Sequence, residues 1–162
     1  MTVRQGLPTI LLLIACHHAP APAAATVAAR PAAAASDSVQ QVNDRFVAAV
    51  RRRIAGMEQQ PAESVFKNIQ LPNLKRVPAQ TFVTIMDVGY ARALGVTCAH
   101  CHVTTDFSSD DKRPKRAARE MAVMHFGINQ QLLKMENLAT QPPEKRFINC
   151  ATCHRGSIHP QG

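Results

Sequence analysis

Tryptophan is absent from this 162-residue chain, tyrosine occurs once and phenylalanine six times. Alanine makes up much of the 46% hydrophobic content, and it buries little surface per residue. A core built from side chains alone would therefore be thin, which leaves room for some other body to fill it. No stretch alternates polar and apolar residues with period two, so a sheet protein is excluded and the expectation is an all-α domain. Acidic residues are few, 11 against 19 Lys and Arg, for a net charge of +8. That balance suits anionic lipid or an acidic protein as partner. With no basic run interleaved with aromatics, nucleic acid is not expected.

Long hydrophobic runs are also missing. The longest, residues 7–15 after Arg4, is too short to span a bilayer but fits the apolar region of a signal peptide. It ends in LIAC, which resembles the bacterial lipobox, so residues 1–15 read as a lipoprotein signal and Cys16 as the lipidated residue; a plain secretory signal cut later, around APAAA (21–25), is the alternative. Residues 16–36 are rich in Ala and Pro and read as a tether of about 60 Å if polyproline-like. His17 and His18 fall within it as solvated linker residues. The chain is thus expected to be exported to a periplasmic or cell-surface side and held at a membrane through lipid.

Residues 37–162 carry the domain. Val39, Val42, Phe46, Val50, Ile54 and Met57 recur at helical spacing, with Ser36 or Ser38 as N-cap and an end near Pro61. A second helix is predicted over 78–94, stopped by Gly95, with Phe82, Ile85, Met86, Gly89 and Ala93 on one stripe. A third starts near Lys112, with Met121, His125, Ile128, Leu132 and Met135 on its stripe. A last short helix covers the end of FINCATCHRG. A helix, a loop and CxxCH therefore occur twice.

Cysteine is scarce too, five in all, and four of them form two pairs: Cys98 and Cys101 followed by His102, Cys150 and Cys153 followed by His154. This is the attachment pattern of c-type haem. Two thiols one helical turn apart meet the two vinyl groups of one porphyrin, and the next histidine supplies the proximal nitrogen. A zinc ribbon does not need a histidine after both pairs. A thioredoxin-like site needs one CxxC in a βαβ setting. Structural disulfides would leave the paired histidines unexplained. Two covalently bound haems also account for the thin core. His100, in the free middle of the first motif, and His159 read as solvent-facing. Candidate sixth ligands are Met86 for the first site and Met121, Met124 or His125, on one face of the third helix, for the second. Periodicity leaves the choice open, because methionine also fills cores.

VFKNIQ (65–70), LGVTCAHCHV (94–103), DFSSDDKRPKRAAREM (106–121), IN (128–129) and CATCHRG (150–156) together resemble the cytochrome c subunit family of photosynthetic reaction centres, most closely its small two-haem members. The full subunit has four haem sites and this chain has two. The resemblance implies a helix before each motif and a helix methionine as sixth ligand: Met86 for the haem of Cys98, Cys101 and His102, and Met121 for that of Cys150, Cys153 and His154. In the full subunit one haem takes a histidine, which keeps His125 in view beside Met124. The basic cluster Lys112, Arg113, Lys115, Arg116 and Arg119 faces haem propionates or an acidic partner on one reading, and solvent on the other. The expectation is an electron carrier, not an enzyme, passing single electrons between redox partner proteins at a membrane surface. The alternatives are a haem enzyme, such as a peroxidase or small-molecule reductase, with one open haem site, and a redox or gas sensor.

Overall fold

The computed structural model describes residues 32–138 and 140–160, all within the compact unit Pro31–Gly162. Residues 1–15, Cys16 and most of the expected tether lie outside the described residues. The described part is helical, with no strand and two isolated bridges, Pro61 to Pro78 and Val103 to Asp106.

Helix α1 (Ala32–Arg53) starts earlier than its polar signals indicate. Ala32 to Ala35 are the strongest helix formers, and they carry the helix through the end of the expected tether, so neither Ser36 nor Ser38 caps it. Its last turn holds Arg51, Arg52 and Arg53, which complement the carbonyl end of the helix. Gly56, at φ +81°, turns the chain away well before Pro61.

Two short turns follow, α2 (Ala62–Val65) and α3 (Pro72–Lys75), then α4 (Ala79–Thr84). The connection around α2 is tied by Ala62 N–H to the Val77 carbonyl (2.8 Å) and Ala79 N–H to the Gln60 carbonyl (2.9 Å). Ile54, Ala79 and Val83 form the buried centre, with Val47, Val50, Val65 and Phe66 against it and Phe66 lying 5.1 Å from Phe82. The core is as thin as the composition implies: four of the eight buried apolar residues are alanines.

Helix α4 does not continue as a regular helix. From Ile85 to Arg92 it widens into a π-helical segment. Asp87 and Arg92, about 140° apart around an α-helix, are brought onto one side by this winding. Arg92 reaches Asp87 with two nitrogens (2.9 and 3.3 Å) and Asp44 of α1 at 3.6 Å. Asp87 is buried, so the pair anchors the segment against α1. Of the predicted stripe, Ala93 is buried, while Phe82, Ile85, Met86 and Gly89 are only half-buried; Val83, Asp87 and Ala91 line the rest of the interior.

The segment ends as predicted at Gly95 (φ +66°), where Gly95 N–H bonds the Arg92 carbonyl and Val96 N–H the Ala91 carbonyl. Helix α5 (Cys98–Cys101) is the first motif, α6 (Arg113–Lys134) the third predicted helix, and α7 (Cys150–His154) the second motif. The C-terminal end returns to the middle of the chain: Gly156 N–H donates to the Ala93 carbonyl (2.9 Å), and a Cβ at Gly95 would lie 2.0 Å from the Gly156 carbonyl oxygen. The two motif-bearing halves thus meet backbone to backbone.

Gly95→Ala combines a left-handed conformation with that clash. It is expected to cost about 2–4 kcal/mol in denaturant unfolding of the mature protein.

Candidate haem sites

Each motif is a single helical turn whose start is held by a buried asparagine. At the first, Asn43 of α1, fully buried, accepts from Cys98 N–H (2.9 Å) and donates Nδ2 to the Val96 carbonyl (2.9 Å). At the second, Asn129 of α6, also buried, accepts from Ile148 N–H (2.9 Å) and donates Nδ2 to the Ile148 carbonyl (3.0 Å). In both cases a helix-borne amide grips the chain two residues ahead of the first cysteine. The faint duplication in sequence is plain in this device. The second turn adds its own cap, with Asn149 and Thr152 bonded reciprocally and Arg155 left-handed at its end.

Cys98, Cys101 and Cys150 are half-buried, Cys153 is exposed, and all four are free thiols. Burial pushes the Cys98, Cys101 and Cys150 thiols above their ordinary pKa. Among the described residues no group of three or more His, Cys, Asp or Glu converges on a point, so the two pairs are not joined as a zinc ribbon requires.

The histidines carry the most specific geometry. His102 Nδ1 lies 2.9 Å from the Phe107 carbonyl, and His154 Nδ1 lies 3.0 Å from the Ser157 carbonyl. A carbonyl only accepts, so Nδ1 is the protonated nitrogen in each ring and Nε2 keeps its lone pair. A metal-ligating histidine has this arrangement, with the second nitrogen oriented by a backbone acceptor. Burial lowers the His102 pKa; the Phe107 bond opposes this, while Lys115, Arg119 and Lys112 reinforce it. The ring is therefore neutral at neutral pH. Phe107 also stacks on His102, with ring centroids 5.0 Å apart, and meets Phe46 of α1 edge-on at 6.1 Å.

The loop between the first motif and α6 is locked by the basic cluster. Lys115, buried, donates Nζ to the Phe107, Ser108 and Ser109 carbonyls (2.9, 2.9 and 2.7 Å) and pairs with Asp110 at 3.2 Å. Arg119 pairs with Asp110 at 2.9 Å and donates to the Asn68 carbonyl. Lys112 donates to the Ala99 carbonyl inside the motif, and Arg116 to the Asp110 and Asp111 carbonyls. Arg119 above all holds the Asp110 carboxyl far below the usual carboxylate range. Neither expected role, facing propionates or facing solvent, describes Lys115 and Arg119: they are structural parts of the loop. Asn68, at φ +63°, donates to the Ser108 carbonyl and closes the ring of contacts from VFKNIQ.

Of the sixth-ligand candidates, Met86 is half-buried within the π-helical segment, a form of winding often found at functional sites. Met121 and Met124 are 42% and 50% exposed on α6. His125 is half-buried with Nε2 2.6 Å from the Ile148 carbonyl, so it joins Asn129 in gripping the approach to Cys150. His100 is half-buried rather than solvent-facing, and His159 is exposed. Tyr90, half-buried, has its phenol pushed up to about 12 by burial first and by Cys150 second, and stays neutral.

A haem fits these residues. Two cysteines and an Nε2 lone pair sit on one turn at each site, and large apolar side chains, including Phe126 (51% exposed) and Phe147 (55%), are left uncovered beside the second. A flat apolar macrocycle is the kind of body that would cover them.

A chain without strands among its described residues, carrying two histidine-terminated CxxC turns that each present one free imidazole nitrogen, is built as a c-type cytochrome, which holds haem covalently and serves electron transfer. The model of the photosynthetic reaction centre cytochrome C subunit family matches residues 21–162, and the chain belongs to that family. It is also similar to cytochrome c-554 of Chloroflexus aurantiacus, 34% identical over 74 residues, covering 46% of this chain. The chain spans 17% of that relative's length. No solved structure matches it.

Asn43→Ala would leave the Cys98 N–H and the Val96 carbonyl unpaired, and is expected to cost about 2–4 kcal/mol in unfolding. Asn43→Asp, which keeps the acceptor and loses the donor, is expected to fall between Asn43→Ala and the natural protein.

Proposed function

We propose that the chain is an exported, lipid-anchored dihaem cytochrome that relays single electrons between redox partner proteins at a membrane surface, similar to half of the reaction-centre subunit. The observation that carries this reading is the repeated histidine geometry: Nδ1 of both His102 and His154 is committed to a backbone carbonyl, and Nε2 of both is free to bind iron. Cys98 with Cys101 and Cys150 with Cys153 would hold the two porphyrins, with Met86 and Met121 as sixth ligands. When bound, each haem supplies an iron that cycles between ferrous and ferric states. The protein's part is to fix the ligands, exclude water and hold the two sites together through the Gly95–Gly156 contact.

No helix among the described residues is long and apolar enough to cross a membrane. On this reading attachment comes through lipid on Cys16, with residues 16–31, ahead of α1, giving reach. The rival, a haem enzyme with one open site, draws support from the second site, where Met121 and Met124 are both substantially exposed.

Haem quantification and a visible and near-infrared spectrum of the mature protein test the reading. Two haems per chain, both low-spin and both with a methionine charge-transfer band, are expected. Met86→Ala and Met121→Ala are each expected to turn one haem high-spin and able to bind carbon monoxide. A high-spin haem in the natural protein would instead establish the enzyme.

A further inference from the structure

The two sites share a histidine–carbonyl bond but differ in what else that carbonyl receives. The Phe107 carbonyl accepts from His102 Nδ1–H and also from the Lys115 ammonium, both at 2.9 Å. The Ser157 carbonyl accepts from His154, and among the described residues no Lys or Arg side chain donates to it; Arg155 beside it is exposed. We propose that Lys115 makes the first haem site the more easily reduced of the two, by sharing the Phe107 carbonyl with the His102 imidazole. The inference rests on the dihaem reading above.

Two effects act in the same direction. A carbonyl that takes a charge-assisted bond from an ammonium has less lone-pair density for a second donor. The His102 N–H is then polarised less, and the ring is a less basic ligand. Ferric iron, which gains most from a basic ligand, is held less well. Positive charge nearby also disfavours the extra charge of the ferric state. Asp110, Asp106 and Asp111 offset part of this, but Asp110 is shared between Lys115 and Arg119, and Lys112 and Arg116 add further cations to the same loop. Burial of Lys115 keeps its charge from being screened as a surface charge would be. At the second site, among the described residues, the Ser157 carbonyl takes no side-chain cation, so its bond to His154 is not weakened in this way.

The test is a spectroelectrochemical titration of the mature protein, with haem counted first. Two haems and two resolved one-electron waves are expected. Lys115→Met keeps the aliphatic stem and removes the shared donor. It is expected to move the higher wave down, with a change of ~10-fold in its ferrous-to-ferric ratio at fixed ambient potential (~59 mV for one electron). The lower wave and the near-infrared methionine bands are expected to stay. A shift of the lower wave alone, an upward shift, or no shift overturns the proposal. If Lys115→Met loses the haem because the loop collapses, Asp110→Asn decides. Removing the counter-charge while leaving Lys115 on its three carbonyls is expected to raise the higher wave, and a fall or no change overturns the proposal. A count of one haem removes the ordering together with the dihaem reading. A count of two with unmoved waves removes the ordering alone.

Discussion

The molecule depends on a hydrogen bond that is easy to overlook, from a side-chain amide to the peptide ahead of each cysteine pair. A haem-binding turn four or five residues long has no core of its own and makes few internal bonds. Unaided, such a turn would be marginal in water. Asn43 and Asn129 solve this by taking the backbone groups that the turn leaves open and fixing them to long helices. Because both amides are buried, their bonds are not in competition with solvent, and removing either leaves peptide groups unpaired. The start of each CxxCH turn is fixed by these two clamps.

Charge does similar work in the loop after the first motif. The ten residues between the motif and α6 (103–112) form no helix, and five of their carbonyls, from Phe107 to Asp111, are collected by Lys115 and Arg116 while Asp110 holds Lys115 and Arg119 together. Cations at the start of a helix work against its dipole. Here that cost is offset by three carbonyls and a carboxylate arranged around one ammonium. What looks like a basic surface in the sequence is in part the internal scaffold of the loop.

The two CxxCH turns were legible in the sequence because each is a short contiguous string whose spacing alone marks it. The long helices were legible because their apolar residues keep the helical period. The apolar stripes were found but in part misplaced: Ala93 is buried, while Phe82, Ile85, Met86 and the α6 stripe are half-buried or exposed, because the helical period marks an apolar face without saying what covers it. The start of α1 was missed because four alanines have helix propensity without any apolar pattern. Asn43, Asn129 and Lys115 were missed because a buried polar residue on a helix has the same local signature as an exposed one. The one available signal was positional, an asparagine on a helix in each half. The π-helical winding around Met86 depends on Asp87 and Arg92 meeting Asp44, a contact between separate elements that no local pattern reports.

The meeting of Gly95 and Gly156 also bears on how the molecule matures. The two glycines stand sixty-one positions apart, so their contact closes a long loop, which is a late event in folding. The CxxCH turns are local and need no such closure. The turns can therefore form while the halves are still apart, and the backbone contact made by the tail after the second motif then closes one half against the other.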